Sequence, residues 1–212
     1  MPVSMKIQKA TEPIWPAFIA MGADALIHYA LPERLSVGPR WLLFAVILVL
    51  LVPITFTYRI GRHNVTRILT FVALGALTIA LIGSLGLMVQ GLPHHKDAPG
   101  ALLKSAVLLW TTNVLVFALW YWKLDGGGPT GRQLADSESS FLFPQKMCPE
   151  ACAPGWSPVF VDYLFLAFNT STAFSPTDTA VLSRWAKGLM MIQSLISLSV
   201  IALLAARAVN IL

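Results

Sequence analysis

The chain has 212 residues, of which 56% are hydrophobic and only 12% are charged. Soluble domains carry about 25% charged residues, and disordered chains combine low hydrophobicity with high net charge, so the composition excludes both classes. The net charge of +5 is spread along the chain without a dense basic stripe, and we therefore predict a membrane protein that binds no nucleic acid.

Five stretches are long and apolar enough to cross a bilayer as helices. A bilayer core about 30 Å thick needs roughly 20 mostly apolar helical residues, and an isolated strand would leave its backbone unbonded in lipid. The first stretch is the least apolar because it contains Asp24 and His28. The five predicted spans are residues 13–31, 41–58, 68–89, 102–122 and 189–211.

Asp24 and His28 form a predicted intramembrane polar pair. They are four residues apart and share one face of a helix, and an acidic residue in a membrane segment is a functional candidate by default. The alternative is a tilted or interfacial helix in which they bond to each other or to a neighbour. No span carries Lys or Arg at regular three-residue spacing in its apolar core, which argues against an arginine-rich voltage sensor.

The connection over residues 124–158 is rich in Gly and Pro, which predicts a loop or small irregular cap outside the bilayer. It holds both cysteines, Cys148 and Cys152, whose clustering permits a local disulfide in an oxidising compartment; a reduced pair is the equal alternative. Two cysteines with no histidine in the same loop make no zinc site. The chain has no metal quartet, phosphate loop or nucleophile–base arrangement, so we predict no metal, no cofactor and no enzymatic activity.

A short apolar run at residues 159–168 follows this loop. Ten residues make about 15 Å of helix, which is half a membrane and predicts a re-entrant segment. Charge bias does not decide the orientation, because the flanking segments balance at five Lys or Arg on each side. When Lys123, Arg184 and Lys187 are counted as well, the charge bias slightly favours a cytoplasmic long loop.

Residues 162–209 resemble the pore module of the tetrameric potassium-channel superfamily, over about a quarter of the chain. A typical bacterial channel reads Asp-Tyr-Leu-Tyr-Phe-Ser-Phe-Val-Thr-Leu-Thr-Thr-Val-Gly-Tyr-Gly-Asp where this chain reads DYLFLAFNTSTAFSPTD. Further on, Gln193 falls where many such channels have Glu. The positions that coincide without gaps with the channel's Phe, two Thr and filter Asp are Phe168, Thr170, Thr172 and Asp178.

The chain departs from this superfamily at the selectivity filter, where Val-Gly-Tyr-Gly is replaced by Phe174-Ser175-Pro176-Thr177. A potassium filter replaces the ion's water with stacked backbone carbonyls, and glycine serves there because it adopts backbone angles closed to other residues. Pro176 fixes its own φ and restricts the preceding residue. We therefore expect no potassium-type carbonyl ladder.

A local helix start competes with the filter interpretation. Ser175 is a good N-cap, Pro176 suits the first helical position and Asp178 stands three residues after the cap, so the last helix would begin at Pro176. Ser, Thr and Asn side chains in the turn would then ring a pore or satisfy their own backbone. The predicted filter and pore-lining residues are Asn169, Thr170, Ser171, Thr172, Ala173, Phe174, Ser175, Pro176, Thr177 and Asp178.

We predict an all-α integral membrane protein with about five transmembrane helices, one re-entrant pore-type half-helix and a tetrameric, channel-like pore module at its C-terminal end. Residues 1–101 form a three-helix membrane bundle. The pore-like module at 102–212 contains an outer helix at 102–123, an extramembrane loop at 124–158, a half-helix at 159–170, a filter-like turn at 171–178 and an inner helix at 179–212.

The resemblance implies a homotetramer in the plasma or inner cell membrane, with an extracytoplasmic long loop, a cytoplasmic C-terminus and permeating monovalent ions. The predicted function is passive, weakly cation-selective conduction. The alternative is a non-conducting membrane protein that kept the channel fold as a structural or partner-binding scaffold. A proton-coupled carrier or intramembrane enzyme that uses Asp24 and His28 is a third hypothesis.

Overall fold

A computed structural model describes residues 12–91, 99–132, 138–148, 150, 155–172 and 178–209. The structure is mostly helical, and one two-stranded antiparallel sheet is present in the described part. Short 3-10 turns lie at Glu33–Leu35 and Asp125–Gly127. The helices are α1 Trp15–Tyr29, α2 Arg40–Arg59, α3 His63–Gly91, α4 Pro99–Leu124, α5 Gly128–Gly131, α6 Pro144–Met147, α7 Phe160–Thr172 and α8 Arg184–Val209, and the strands are β1 Phe141–Leu142 and β2 Ala180–Val181.

Four of the described helices, α2, α3, α4 and α8, are long and apolar enough to cross a membrane. They coincide with the second to fifth predicted spans, which confirms a membrane protein with transmembrane helices. Helix α1 occupies the first predicted span with only 15 residues. At 1.5 Å per residue it is about 22 Å long, which is shorter than the bilayer core, so a fifth transmembrane helix stays a prediction.

Helix α4 lies at the centre of the bundle, where it contacts α1, α3, α7 and α8. In the apolar stretch of α4, 61% of the residues are buried, whereas only 11% are buried in the apolar stretch of α2, which packs at the periphery. Small side chains let α1 approach its neighbours closely: Ala17, Ala20 and Ala25 are all almost fully buried. The central position of α4 means that its side chains connect the N-terminal helices to the C-terminal module.

The last helix begins later than either sequence interpretation predicted. We expected an inner helix from residue 179, or a helix start at Pro176 capped by Ser175, whereas α8 begins at Arg184. Strand β2 pairs with β1 in the long loop, and the N–H of Leu182 donates to Ser140 O at 2.9 Å. This pairing holds the backbone extended beyond Asp178. The cap is Ser183, whose Oγ accepts the N–H of Ala186 at 3.4 Å.

The half-helix is also longer than predicted. Helix α7 ends at Thr172 and not at residue 170, so Ser171 and Thr172 belong to the helix and not to the turn. Of the predicted filter residues, Ala173, Phe174, Ser175, Pro176 and Thr177 lie outside the described residues.

Candidate functional site

Helix α7 begins beside the C-terminal end of α4. The Phe160 ring packs edge-on against Trp122, with centroids 6.2 Å apart. Three residues further on, the Tyr163 hydroxyl donates to the carboxylate of Asp125 at 2.6 Å. The start of α7 is therefore level with the last turn of α4.

The other end of α7 reaches only the middle of α4. Trp110 Nε1 donates to Ser171 O at 3.5 Å, and Asn113 Nδ2 lies 3.5 Å from Ser171 Oγ. Because α4 runs from Pro99 to Leu124, residues 110 and 113 are near its midpoint. Helix α7 therefore runs antiparallel to the C-terminal half of α4, and its last described residues lie beside the middle of α4.

After α7 the chain returns to the C-terminal end of α4. Val181 in β2 pairs with Phe141, and the Phe141 ring packs on Tyr121 with centroids 5.3 Å apart. Tyr121 is eleven residues beyond Trp110 along α4, or about 17 Å. The chain therefore begins α7 at the C-terminal end of α4 and reaches the middle of α4 at the last turn of α7. In β2 it lies at the C-terminal end of α4 again.

A buried hydrogen-bond network, which we call the helix-junction network, joins α4, α7 and α8 where α7 ends. Gln193 Nε2 donates to Ala167 O at 2.8 Å and to Ser171 Oγ at 2.7 Å. Gln193 Oε1 accepts the Tyr121 hydroxyl at 2.5 Å. The members of the network are Asn113, Tyr121, Ser171, Gln193 and Ser197, and none is more than 2% exposed.

Asn113 completes the network from α4. Its Nδ2 donates to Ser197 Oγ at 2.8 Å and to Gln193 O at 3.2 Å. The amide of Gln193 suits its position because it both donates and accepts, whereas an ionised carboxylate only accepts.

The described hydroxyl groups of α7 that were predicted to line a pore make hydrogen bonds within the chain. Ser171 Oγ lies in the helix-junction network, and Thr170 Oγ1 donates to Leu166 O at 2.8 Å. Thr172 Oγ1 donates to Asn169 O at 3.0 Å. Asn169 and Thr172 are partly exposed at the end of α7, and Asp178 is exposed where the chain returns.

A buried ion pair, which sequence reasoning missed, fixes the same end of the bundle. Arg132 Nη2 lies 2.5 Å from Glu12 Oε2, and both side chains are under 10% exposed. Arg132 Nη1 donates to the carbonyl oxygens of Trp122 at 2.7 Å and Asp125 at 2.9 Å. These are carbonyls at the C-terminal end of α4, where a cation is favoured.

Asp125 extends this ion pair to the half-helix. Its carboxylate accepts the Ser140 N–H at 2.5 Å as well as the Tyr163 hydroxyl, and the Arg132 guanidinium lies over the Tyr163 ring at 5.0 Å. A sequence signal for this turn was present in the three glycines that follow Asp125. Gly126, Gly127 and Gly128 all have positive φ, which lets the chain fold back onto the end of α4.

Asp24 and His28 are both buried, at 1% and 3% exposure. His28 Nε2 is 3.2 Å from Ser36 Oγ. The Thr112 side chain lies beside the Asp24 carboxyl, yet neither Asp24 Oδ1 nor Thr112 Oγ1 has a hydrogen-bond partner among the described residues. The pair is therefore in the bundle interior, and Asp24 is level with the middle of α4.

The other sequence predictions concern cysteines and metals. Cys148 is exposed and unpaired within the described residues, while Cys152 lies outside them, so their disulfide stays a prediction. In the part of the chain that the structure describes, no three His, Cys, Asp or Glu side chains are grouped to hold a metal.

No protein-family model, curated protein or solved structure matches this chain. The resemblance to potassium-channel pore modules therefore depends on the sequence positions given above.

Proposed function

We propose that four copies of this protein form a pore through which monovalent ions pass passively, with a weak preference for cations. The observation that carries the proposal is the path of the chain around α7. It enters beside Asp125, reaches the middle of α4 at Ser171 and is back beside Tyr121 at β2. This path supports the proposal, because a pore module needs an element that enters the bilayer part-way and returns to the same side.

Only protein or water can surround the end of such a half-helix, because lipid would leave its backbone groups without hydrogen bonds. On one side, α4 and α8 supply the partners: Trp110 and Gln193 donate to carbonyl oxygens of α7, and Ser194 Oγ donates to Thr170 O at 3.4 Å. The side of α7 that faces away from α4 and α8 carries the partly exposed side chains of Asn169 and Thr172. Around a fourfold axis these polar groups face neighbouring subunits or a water-filled centre.

The assembly is tested by the mass of the purified protein in nanodiscs. We expect four copies of the 23.1 kDa chain, held together by burial of the exposed apolar face of α7, which includes Val161 and Phe165. A stable monomer or dimer would contradict the pore proposal. A tetramer that passes no ions would instead support the scaffold alternative.

Selectivity follows from the residues available at the proposed axis. The segment 174–177 lacks both glycines of the potassium filter, so closely stacked carbonyl sites are not expected. Asn169 and Thr172 are neutral. Asp178 is the exposed carboxylate next to this segment, and four copies at the mouth would attract cations.

We expect reversal potentials in mixed salts to give a potassium-to-sodium permeability ratio below roughly ten. Asp178→Asn should lower the preference for cations over chloride and leave the potassium-to-sodium ratio unchanged. Glu33→Gln is the matched control, because it neutralises an exposed carboxylate at the opposite end of the bundle, where Glu33 pairs with Arg40. A steep potassium preference, or equal effects of the two variants, would refute this account of the filter.

A further inference from the structure

A cavity of about 600 Å³ opens at the same end of the bundle as the long loop. Helices α1, α2, α3 and α4 and the turn at residues 127–131 form its walls. Ile14, Phe18 and Trp122 give it an apolar side, and Arg67 and Lys123 give it a cationic side. No acidic side chain is among the described residues that line it.

The two cations have no carboxylate partner among the described residues. The Arg67 guanidinium lies 5.6 Å from the centre of the Phe71 ring, and Lys123 is partly buried at the end of α4. The nearby carboxylate of Glu12 is already bonded to Arg132 and to Trp122 Nε1. Two like charges that line one cavity repel each other, so a bound anion between them is favourable.

We propose that this cavity binds the phosphate group of an anionic phospholipid. The cavity lies at the ends of α3 and α4, which is the level of lipid headgroups, and basic pockets between transmembrane helices are suited to such groups. Arg67 and Lys123 contact the phosphate, with His63 and Asn64 as further polar groups of the wall. Ile14 and Phe18 contact the adjoining acyl chain, which a free phosphate ion lacks.

The test measures lipid retention by native mass spectrometry of the full-length protein taken from vesicles of phosphatidylglycerol and phosphatidylcholine. We expect one tightly retained phosphatidylglycerol per chain, and at least tenfold weaker retention in R67Q/K123Q. The control R184Q/K187Q removes two exposed cations that do not line the cavity, and its retention should stay within twofold of the unchanged protein. Inorganic phosphate at millimolar concentration should not displace the lipid.

Equal losses of lipid retention in the two double variants would show that the lipid is held by non-specific attraction to the cations at this end of the bundle. This result would overturn the proposal. Displacement of the lipid by inorganic phosphate would also overturn it, since the occupant would then be a soluble phosphate. If R67Q/K123Q does not fold, Arg67→Gln alone is decisive, because Arg67 is exposed and its loss does not disturb the core. Unchanged retention in that variant refutes the site.

Discussion

Replacing Arg132 by Met lowers the free energy of unfolding by about 3–5 kcal/mol, the cost of breaking a buried ion pair from one side. The Glu12 carboxylate is left buried without its cation, and the carbonyl oxygens of Trp122 and Asp125 lose a donor. The contact of the guanidinium with the Tyr163 ring is lost as well. The measurement is unfolding of the protein in mixed micelles, followed by the fluorescence of its seven tryptophans.

A double variant separates lost pairing from lost packing. Glu12→Gln in the Arg132→Met background removes the uncompensated charge and should recover more than half of the lost stability. Arg40→Met breaks the exposed pair with Glu33 and is the matched control, with an expected cost of at most about 1 kcal/mol. If Arg132→Met costs no more than Arg40→Met, the buried pair does not stabilise this end of the bundle.

Replacing Gln193 by Leu removes the side-chain hydrogen bonds that Gln193 makes to α4 and α7. The Tyr121 hydroxyl loses its acceptor, and Ser171 Oγ loses a donor, in a network that is closed to water. Each unsatisfied buried group costs roughly 1–3 kcal/mol, so we expect a loss of about 3 kcal/mol or more. Because α7 then lacks the two hydrogen bonds that Gln193 donates to it, the fraction of tetramer in nanodiscs should fall together with stability.

The conservative variant Gln193→Glu distinguishes hydrogen bonding from side-chain volume. The Gln193 amide donates to both Ala167 O and Ser171 Oγ, whereas a carboxyl group donates one hydrogen bond when protonated and none when ionised. The variant should therefore lose stability even though the side-chain volume is nearly unchanged. Ser199→Ala is the matched control on the same helix, since Ser199 is exposed and donates only to Leu195 O; its effect should stay within about 0.5 kcal/mol. Full stability of Gln193→Glu would contradict the role assigned to the amide.

The sequence was sufficient for the elements that depend on local composition. Apolar length placed α2, α3, α4 and α8, because a spanning helix is specified by its own residues. The same argument located α7, since ten apolar residues are too few to span. Only its end was misplaced, because Thr170, Ser171 and Thr172 have turn-forming side chains that here bond within the helix or to α4 and α8.

The features that could not be predicted from the sequence depend on residues that are far apart in the chain. The cap signals at Ser175 and Pro176 are local, whereas the start of α8 is set by the pairing of β2 with a strand about forty residues earlier. Glu12 and Arg132 are 120 residues apart, so no spacing rule connects them. Gln193 was noted for its identity, but its partners on α4 and α7 are known only once the helices are packed.

The most direct test of the proposed pore is ion flux from liposomes that contain the purified protein, compared with empty liposomes. We expect potassium and sodium to leave at rates within a factor of about ten of each other. Thr172→Trp, which places a bulky ring at the last described position of α7, should abolish the flux while the protein remains a tetramer. A tetramer that leaks no faster than empty liposomes, or a Thr172→Trp variant that conducts as well as the unchanged protein, would contradict the pore.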